Sequence, residues 1–253
     1  MRTAAIYDIH ANLPALEAVL QEIGRAGVEQ LVVGGDVLPG PMPRESITRL
    51  LDLDIPVRFI QGNGDREVLE RMRGMETDSV PEQLREMMRW VVQQLQAEDE
   101  ALLASWPTTL RLQVDGMGEV LFCHATPRSD TEIFTRLTPE DRLLGVFEGI
   151  HAPLVVCGHT HMQFDRRIGR TRVVNAGSVG MPFGEPGAYW LLLGPDVQLQ
   201  RTSYDLAKAA GQIRGTRYPQ ADEFAARYVL QPPSETEMLD VFGRAELRQK
   251  DCA

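Results

Sequence analysis

The sequence predicts an α/β fold in which a parallel sheet is covered by helices, and three observations predict it. Short apolar runs at Thr3–Tyr7, Gln30–Val33 and Val57–Ile60 alternate with apolar stripes of helical period. The loops between them are short, the pattern of parallel strands joined by crossover helices. Each run stops at a polar cluster: Asp8-Ile9-His10, then Gly34-Gly35-Asp36, then Gly62-Asn63-Gly64-Asp65. In such sheets the ligand site lies beyond the carboxyl ends of the strands.

Each element has its own signal. Asn12 or Leu13 caps the first helix, with Pro14 in the first turn, where a missing N–H costs nothing. Leu16, Val19, Leu20 and Ile23 form its apolar stripe, and Gly24 to Gly27 end it. A loop with Pro39, Gly40, Pro41 and Pro43 precedes a second helix through Ile47, Leu50 and Leu51. From Arg66 to Trp106 the chain reads as helix, interrupted around Thr77–Pro81. Val80-Pro81-Glu82 opens a helix whose Leu84, Met87, Met88, Val91, Val92 and Leu95 form the buried face, a packing layer rather than a lid.

After Pro107 the period drops to two. Leu110, Leu112 and Val114, then Val120 and Phe122, flank the hairpin signal Asp115-Gly116-Met117-Gly118, and the second strand ends in Cys123-His124. A helix from Pro139 to Ile150 leads to a strand, Leu154–Cys157, that stops at Gly158-His159-Thr160-His161. Two more hairpins, Phe164–Ile168 with Thr171–Val174 and Tyr189–Leu193 with Val197–Thr202, enclose Asn175-Ala176-Gly177-Ser178-Val179-Gly180. From Tyr204 the pattern is helical again, broken at Pro232-Pro233, as a packed C-terminal helix with a loosely held end. The expectation is one domain over residues 1–253, with a core to about residue 203 and a helical segment from about residue 204.

Composition excludes several classes. No run of about 18 apolar residues exists, and the start, Met1 to Asp8, has no apolar signal region. Three scattered cysteines, Cys123, Cys157 and Cys252, suggest a reducing, cytoplasmic setting without a disulfide framework. A net charge of −10 argues against a surface that grips nucleic acid. It leaves room for a phosphate ligand, because divalent cations held by aspartates invert the local field. The oligomeric state is not legible.

The chemistry stands at the strand ends: Asp8, His10, Asp36, Asn63, His124, His159 and His161. Taken singly, an aspartate there caps a helix, a histidine is a satisfied structural residue, and an asparagine between glycines forms a turn. Taken together, five apolar strands each deliver a donor to one edge, and the set includes four of the five histidines. His151, before Pro153, reads as a surface loop residue. Carboxylate, imidazole and one amide oxygen suit Mn²⁺ first, then Fe, Zn²⁺, Ni²⁺ or Co²⁺, rather than all-oxygen Ca²⁺ or thiolate zinc. Seven donors exceed one tetrahedral ion and match two ions bridged by a carboxylate, roughly 3.5–4 Å apart, which clamp a phosphoryl group.

In this order, Asp8-Ile9-His10, Gly35-Asp36, Gly62-Asn63-Gly64-Asp65, His124 and Gly158-His159-Thr160-His161 resemble the calcineurin-like metallophosphoesterase superfamily. Asn175 to Gly180 is similar to the Asn-x-Gly-Ser-x-Gly segment of its small bacterial and archaeal phosphodiesterase branch. The resemblance implies a four-layer α/β/β/α sandwich of two mixed sheets. It implies one metal on Asp8, His10, Asp36 and His161, another on Asp36, Asn63, His124 and His159, with Asp36 bridging. Asp36, Asn63 and His124 would centre the catalysis, and a hydroxide between the metals would attack phosphorus in line.

One departure is specific. The family's usual third block carries a histidine that protonates the leaving oxygen, and here that position is Gly64. General-acid help is worth about 10²–10⁴-fold, so esters with good leaving groups should be favoured. Asp65 loses its client and is left to fix the loop. Arg66 and Arg128 are candidate contacts for a substrate phosphate, since a guanidinium fork suits it. Ser178 and Met181-Pro182-Phe183-Gly184 are expected to edge the pocket, with Phe183 packing. The functional expectation is a metal-dependent phosphodiesterase or phosphatase on small phosphate esters or nucleotides. The alternatives are a metal-binding scaffold of the same fold and a nuclease.

Overall fold

Strand β1 (Thr3–Ile6) is flanked in its sheet by β2 (Gln30–Val33) and β9 (Ala188–Leu193), because all of its residues are apolar or β-branched and all are buried. The structure, a computed structural model, describes residues 2–75 and 82–246. The full order of the first sheet is β10 (Val197–Thr202), β9, β1, β2, β3 (Val57–Phe59), with β1, β2 and β3 parallel. Register pairs Thr3 with Gln30 and Ile6 with Val33. The second sheet runs β4 (Thr109–Val114), β5 (Gly118–Cys123), β6 (Leu154–Cys157), β8 (Thr171–Asn175), β7 (Phe164–Ile168). Both sheets are mixed.

Two-residue alternation sorts the strand side chains into layers. Ala5, Tyr7 and Val32 of the first sheet meet Phe122, Leu154 and Val156 of the second in one cluster, so the sheets pack face to face. The opposite face of the first sheet, with Ile6, Leu31, Val33 and Trp190, packs on α1 (Leu13–Arg25), α2 (Pro43–Leu51), α3 (Asn63–Met72), α4 (Glu82–Gln94) and α5 (Ala97–Ser105). The outer face of the second, with Leu121, Cys123 and Val155, packs on α6 (Glu140–Phe147). The result is the four-layer α/β/β/α sandwich. Fully burying one large aliphatic side chain contributes roughly 1.5–3 kcal/mol, and α1 alone buries Leu16, Val19, Leu20 and Ile23.

Among the described residues the elements differ from expectation in two places, Leu84 and Gln96. The break around Thr77–Pro81, and Val80-Pro81 ahead of α4, lie outside the described residues. Leu84 is 43% exposed; only Met87, Met88 and Val91 form the buried face of α4. The helical pattern hid a second break, where Gln96 caps α5 and its N–H donates to Asp99 Oδ2 across the first turn, at 2.8 Å. Asn63, one of the predicted donors, is the first residue of α3.

The C-terminal segment is more than one packed helix. Ala209, Ala210 and Ile213 of α7 (Leu206–Arg214) join the first core, as do Phe224 of α8 (Ala221–Phe224) and Val229 of the π-helical stretch Ala225–Leu230. Helix α9 (Glu235–Ala245) has no buried residue. Among the described residues no helix is long and apolar enough to cross a membrane.

Candidate metal centre

The loops that follow β1 and β2 are zipped to each other. Asp8 N–H donates to the Gly35 carbonyl at 3.1 Å, His10 N–H to Asp36 at 2.9 Å and Ala11 N–H to Val37 at 2.8 Å. On the second sheet Gly158 N–H donates to the His124 carbonyl at 2.8 Å. The sheets bring these two pairs of loops together. Asp8 Oδ2 accepts from His159 N–H at 2.9 Å, crossing between the sheets.

Six non-glycine residues have positive φ among the described residues: Asp8, His10, Ala11, Asp36, His159 and His161. Five of them are sequence-predicted donors. Left-handed backbone costs L-residues about 1–2 kcal/mol each and persists only where surroundings impose it, as at functional sites. The sharp reversals turn consecutive side chains inward at the strand ends.

Donor atoms converge in two groups. Asp8 Oδ1 lies 3.4 Å from His161 Nε2, which lies 3.2 Å from His10 Nε2. Asp36 Oδ2 lies 3.5 Å from His124 Nε2, and Asp8 Oδ1 lies 3.8 Å from the same nitrogen. His10 Nε2 is 3.9 Å from Asp36 Oδ2, which joins the groups. One amide atom of Asn63 stands 3.1 Å from His124 Nε2, and, as nitrogen, 3.0 Å from His159 Nδ1. All seven predicted donors therefore meet in one cluster. Asp8, His10 and His161, and Asp8, Asp36 and His124, form compact triads with the spacing of cation sites.

The hydrogen-bond partners fix which nitrogen faces inward. His124 Nδ1 is 3.0 Å from the Gly34 carbonyl and His161 Nδ1 is 2.7 Å from the Met181 carbonyl. A carbonyl only accepts, so both Nδ1 atoms carry hydrogen and, in the neutral ring, both Nε2 lone pairs point into the site. The His124 lone pair then faces two carboxylates. That arrangement asks for a cation between them, a proton or a metal ion. Asp8 Oδ1 is fully buried without a hydrogen-bond partner, a further sign that its counterpart is a cation.

The electrostatics agree. Burial alone would push His124 down, but the Asp36 and Asp8 carboxylates raise it to about 10. Burial would push Asp36 up, and the His124 ring outweighs it and holds Asp36 below the carboxylate range. His10 and His159 are pushed down to about 4, by burial first and then by His161 and His124 respectively, so both offer neutral imidazoles. Metal ligation needs deprotonated imidazole and carboxylate: His10, His159 and Asp36 supply them as they stand, and a divalent ion would take the place of the proton that the two carboxylates hold on His124. The donors thus fit divalent ions of the borderline class.

Gly64 has no room for a side chain. A Cβ there would stand 2.4 Å from the Leu38 carbonyl oxygen, 2.9 Å from Pro39 Cδ and 3.1 Å from Asp36 Oδ1. The missing acid is therefore built into the backbone path. Asp65 does fix the loop: its Oδ1 accepts from Leu38 N–H and its Oδ2 from Gly62 N–H, both at 3.0 Å. Burial and the nearby Asp36 charge push its carboxyl up to about 8, against those two donors.

Arg66 and Arg128 line a cavity of about 240 Å³ together with His124, Thr126, Ser129 and Asp130. Both guanidinium groups already have carboxylate partners, Arg66 with Asp130 at 2.6 Å and Glu70 at 3.2 Å, and Arg128 with Glu132 at 2.7 Å. His151 is exposed, as expected.

Ser178 does not edge a pocket. It is fully buried, its hydroxyl donates to the Asp8 carbonyl at 2.8 Å, and it accepts from Met181 N–H at 2.8 Å. Asn175 splints the histidine loop, donating to the Gly158 carbonyl at 2.6 Å and Thr160 Oγ1 at 3.1 Å. Phe183 packs, with its ring stacked on His161 at 5.2 Å between centroids. Sequence reasoning missed the carbonyls of Gly34 and Met181, because a backbone acceptor leaves no trace in residue identity.

Residues 1–194 match the calcineurin-like phosphoesterase superfamily domain, and the chain belongs to that superfamily. It is 29% identical over 238 residues to an uncharacterized protein of Methanocaldococcus jannaschii, covering 86% of this chain and 93% of that protein. Among solved structures, a metallophosphoesterase from Sphaerobacter thermophilus is 30% identical, with a TM-score of 0.69 over 89% of this chain and 98% of its own. A hypothetical protein from Pyrococcus horikoshii OT3 shares the fold, with a TM-score of 0.78, 21% identity and coverage of 92% of this chain and 99% of its own.

Proposed function

We propose that the protein hydrolyses small phosphate esters, phosphodiesters foremost, at a centre of two divalent ions, Mn²⁺ first among them. One observation carries the reading: seven donors from five strand ends meet around two buried carboxylates, with Nε2 of His124 and of His161 turned inward. Two such ions, when bound, clamp a phosphoryl group and supply a nucleophilic water near neutral pH. Asp8, His10 and His161 would hold one ion, and Asn63, His124 and His159 the other, with Asp36 reaching both. The Gly34 and Met181 carbonyls orient His124 and His161.

The cavity beside His124, with its hydroxyls and two guanidinium groups, would receive the rest of the ester. The Arg66 and Arg128 forks are shared with Asp130 and Glu132, so they would bind a phosphate oxygen by exchange or through a remaining N–H. Nothing at Gly64 donates a proton, so the leaving group departs with little help. The complete donor set favours an enzyme over a scaffold, which has no need of two oriented imidazoles. Two buried free thiols, Cys123 and Cys157, go with a cytoplasmic setting.

The test is hydrolysis of bis-p-nitrophenyl phosphate by metal-free protein with and without Mn²⁺, with Asp36→Ala as control. Turnover that needs both Mn²⁺ and Asp36 is expected. Absence of such turnover on this ester and on a panel of nucleotides removes the enzyme reading, and Mn²⁺ uptake without turnover leaves the scaffold.

A further inference from the structure

His161 stands beyond the strands. It lies four residues past the end of β6, at a φ of 59°, in a loop. Two things outside the strand framework hold its ring: the Met181 carbonyl at 2.7 Å and the stacked ring of Phe183 at 5.2 Å. The Phe183 ring in turn meets Phe242 of α9, 6.0 Å between centroids. The same loop is held from behind where Gly184 N–H donates to the Pro233 carbonyl at 2.8 Å. His161 is thus tied to the C-terminal helix through one intervening ring.

Helix α9 is placed by contacts rather than by burial. An isolated helix of 11 residues is marginal in water, and this one has no buried residue. Its first turn is pinned by Ser234, whose hydroxyl accepts from Glu237 N–H at 3.2 Å, and by Glu235 paired with Arg136 at 2.7 Å. Beyond its last turn the Glu246 carboxylate, its side chain 8% exposed, accepts from the hydroxyls of Thr135 and Thr138. That receiving loop is itself stiff, because Arg166 donates to the carbonyls of Thr135, Arg136 and Thr138. A helix pinned at both ends holds the Phe242 ring against Phe183, the ring that stacks on His161. The match to the family domain stops at residue 194, so α9 lies beyond the domain that supplies the donors.

We infer that Phe242 is a positioning residue for His161, so that α9 sets the affinity of the Asp8–His10–His161 site for its metal ion. The inference rests on the function proposed above. By contrast, His124 is oriented by Gly34 at the end of β2, within the sheet framework. The C-terminal helix should therefore act on one site and not the other.

The full-length, metal-free protein is titrated calorimetrically with Mn²⁺ as wild type, Phe242→Ala and Phe242→Tyr, and the thermal unfolding of each metal-free protein is recorded. In Phe242→Ala one equivalent should bind about tenfold more weakly, the usual lower bound for losing an outer support of a ligand. The other equivalent should bind as in wild type, and the unfolding midpoint should not move. Phe242→Tyr keeps the ring and should restore the lost affinity. Unchanged affinity in Phe242→Ala, equal weakening of both equivalents, a midpoint that falls with the affinity, or no recovery in Phe242→Tyr overturns the inference. A wild type that takes up no Mn²⁺ overturns the proposed function and the inference with it.

Discussion

Gly64 and Asp36 are locked together: the Gly64 N–H donates to Asp36 Oδ1 at 2.7 Å, leaving Oδ2 to face His124 at 3.5 Å. One carboxylate oxygen is thus spent on the backbone and the other points into the metal centre. The contact is close because position 64 is packed from the other side by Leu38 and Pro39.

The first prediction follows from that packing. Gly64→His, which writes the family's usual acid into the chain, should not create a better enzyme. Its Cβ would collide with the Leu38 carbonyl and displace the loop that positions Asp36. Overpacking of this kind costs about 1–3 kcal/mol, so a lower urea midpoint and weaker Mn²⁺ uptake are expected. Rates should also fall steeply as the leaving group of a phosphodiester series becomes more basic. A Gly64→His protein that cleaves poor-leaving-group esters faster than wild type would show this account to be wrong.

The second concerns the division of donors. His161→Ala removes one imidazole from the triad with Asp8 and His10 and leaves Asn63, His124 and His159 in place. Mn²⁺ titration should lose one equivalent and keep the other. His124→Ala should do the reverse. Equal loss of both equivalents in His161→Ala would mean that the two groups of donors act as one site.

How far these sites could be read from sequence depends on what kind of atom does the work. Asp8, Asp36, His124 and His159 were legible because each follows an apolar run whose period of two or continuous burial is plain. Their geometry was not, since nothing in the letters Asp, His or Ala announces a left-handed backbone. Asn63 was legible as a donor only jointly with the others, and its place as the first residue of α3 was not, because the cap is made by the Asp65 carboxylate accepting from Gly62 N–H. Leu84 reads as core by its spacing, but α4 buries only a narrower stripe. Alanine-rich α7 carries too weak a pattern to reveal that Ala209 and Ala210 pack into the main core, where small residues let helices approach closely.

A third prediction tests the splint under the histidine loop. Asn175 is fully buried and satisfies Gly158, Thr160 and, through its Oδ1 at 2.8 Å, Gly177 N–H. Asn175→Ala leaves these buried groups without partners, and each unpaired group costs about 1–3 kcal/mol. Stability to urea should fall by roughly 2–4 kcal/mol in total after local relaxation. Mn²⁺ affinity should weaken as well, because His159 and His161 lose the brace between them. Full stability in Asn175→Ala would mean that water replaces the side chain without loss.

The last prediction is a pH dependence set first by burial, at three groups beside the metal donors. Burial pushes the Cys123 thiol, the Cys157 thiol and the Tyr7 hydroxyl above their ordinary ranges, with neighbouring charges adding to the effect at Cys157 and Tyr7. In the unfolded chain a thiol ionises near about 8.5 and a tyrosine near about 10. In the folded chain all three keep their protons at those values. The unfolded state therefore binds fewer protons than the native state above about pH 8.5, and stability falls as pH rises. The contribution of these groups is fully present below that pH and is lost as pH climbs toward the folded values. Each thiol should remove about 1.4 kcal/mol per pH unit beyond its unfolded value. Urea unfolding of metal-free protein between about pH 8 and pH 10.5 should show this decline, and Cys123→Ala should reduce the slope by about one thiol's share. In native protein at pH 8, a thiol reagent followed by peptide mass analysis should leave Cys123 and Cys157 unmodified, and unfolding in urea should expose both. A flat stability profile, or labelling of either residue in the folded state, would show that these thiols are not held protonated by burial.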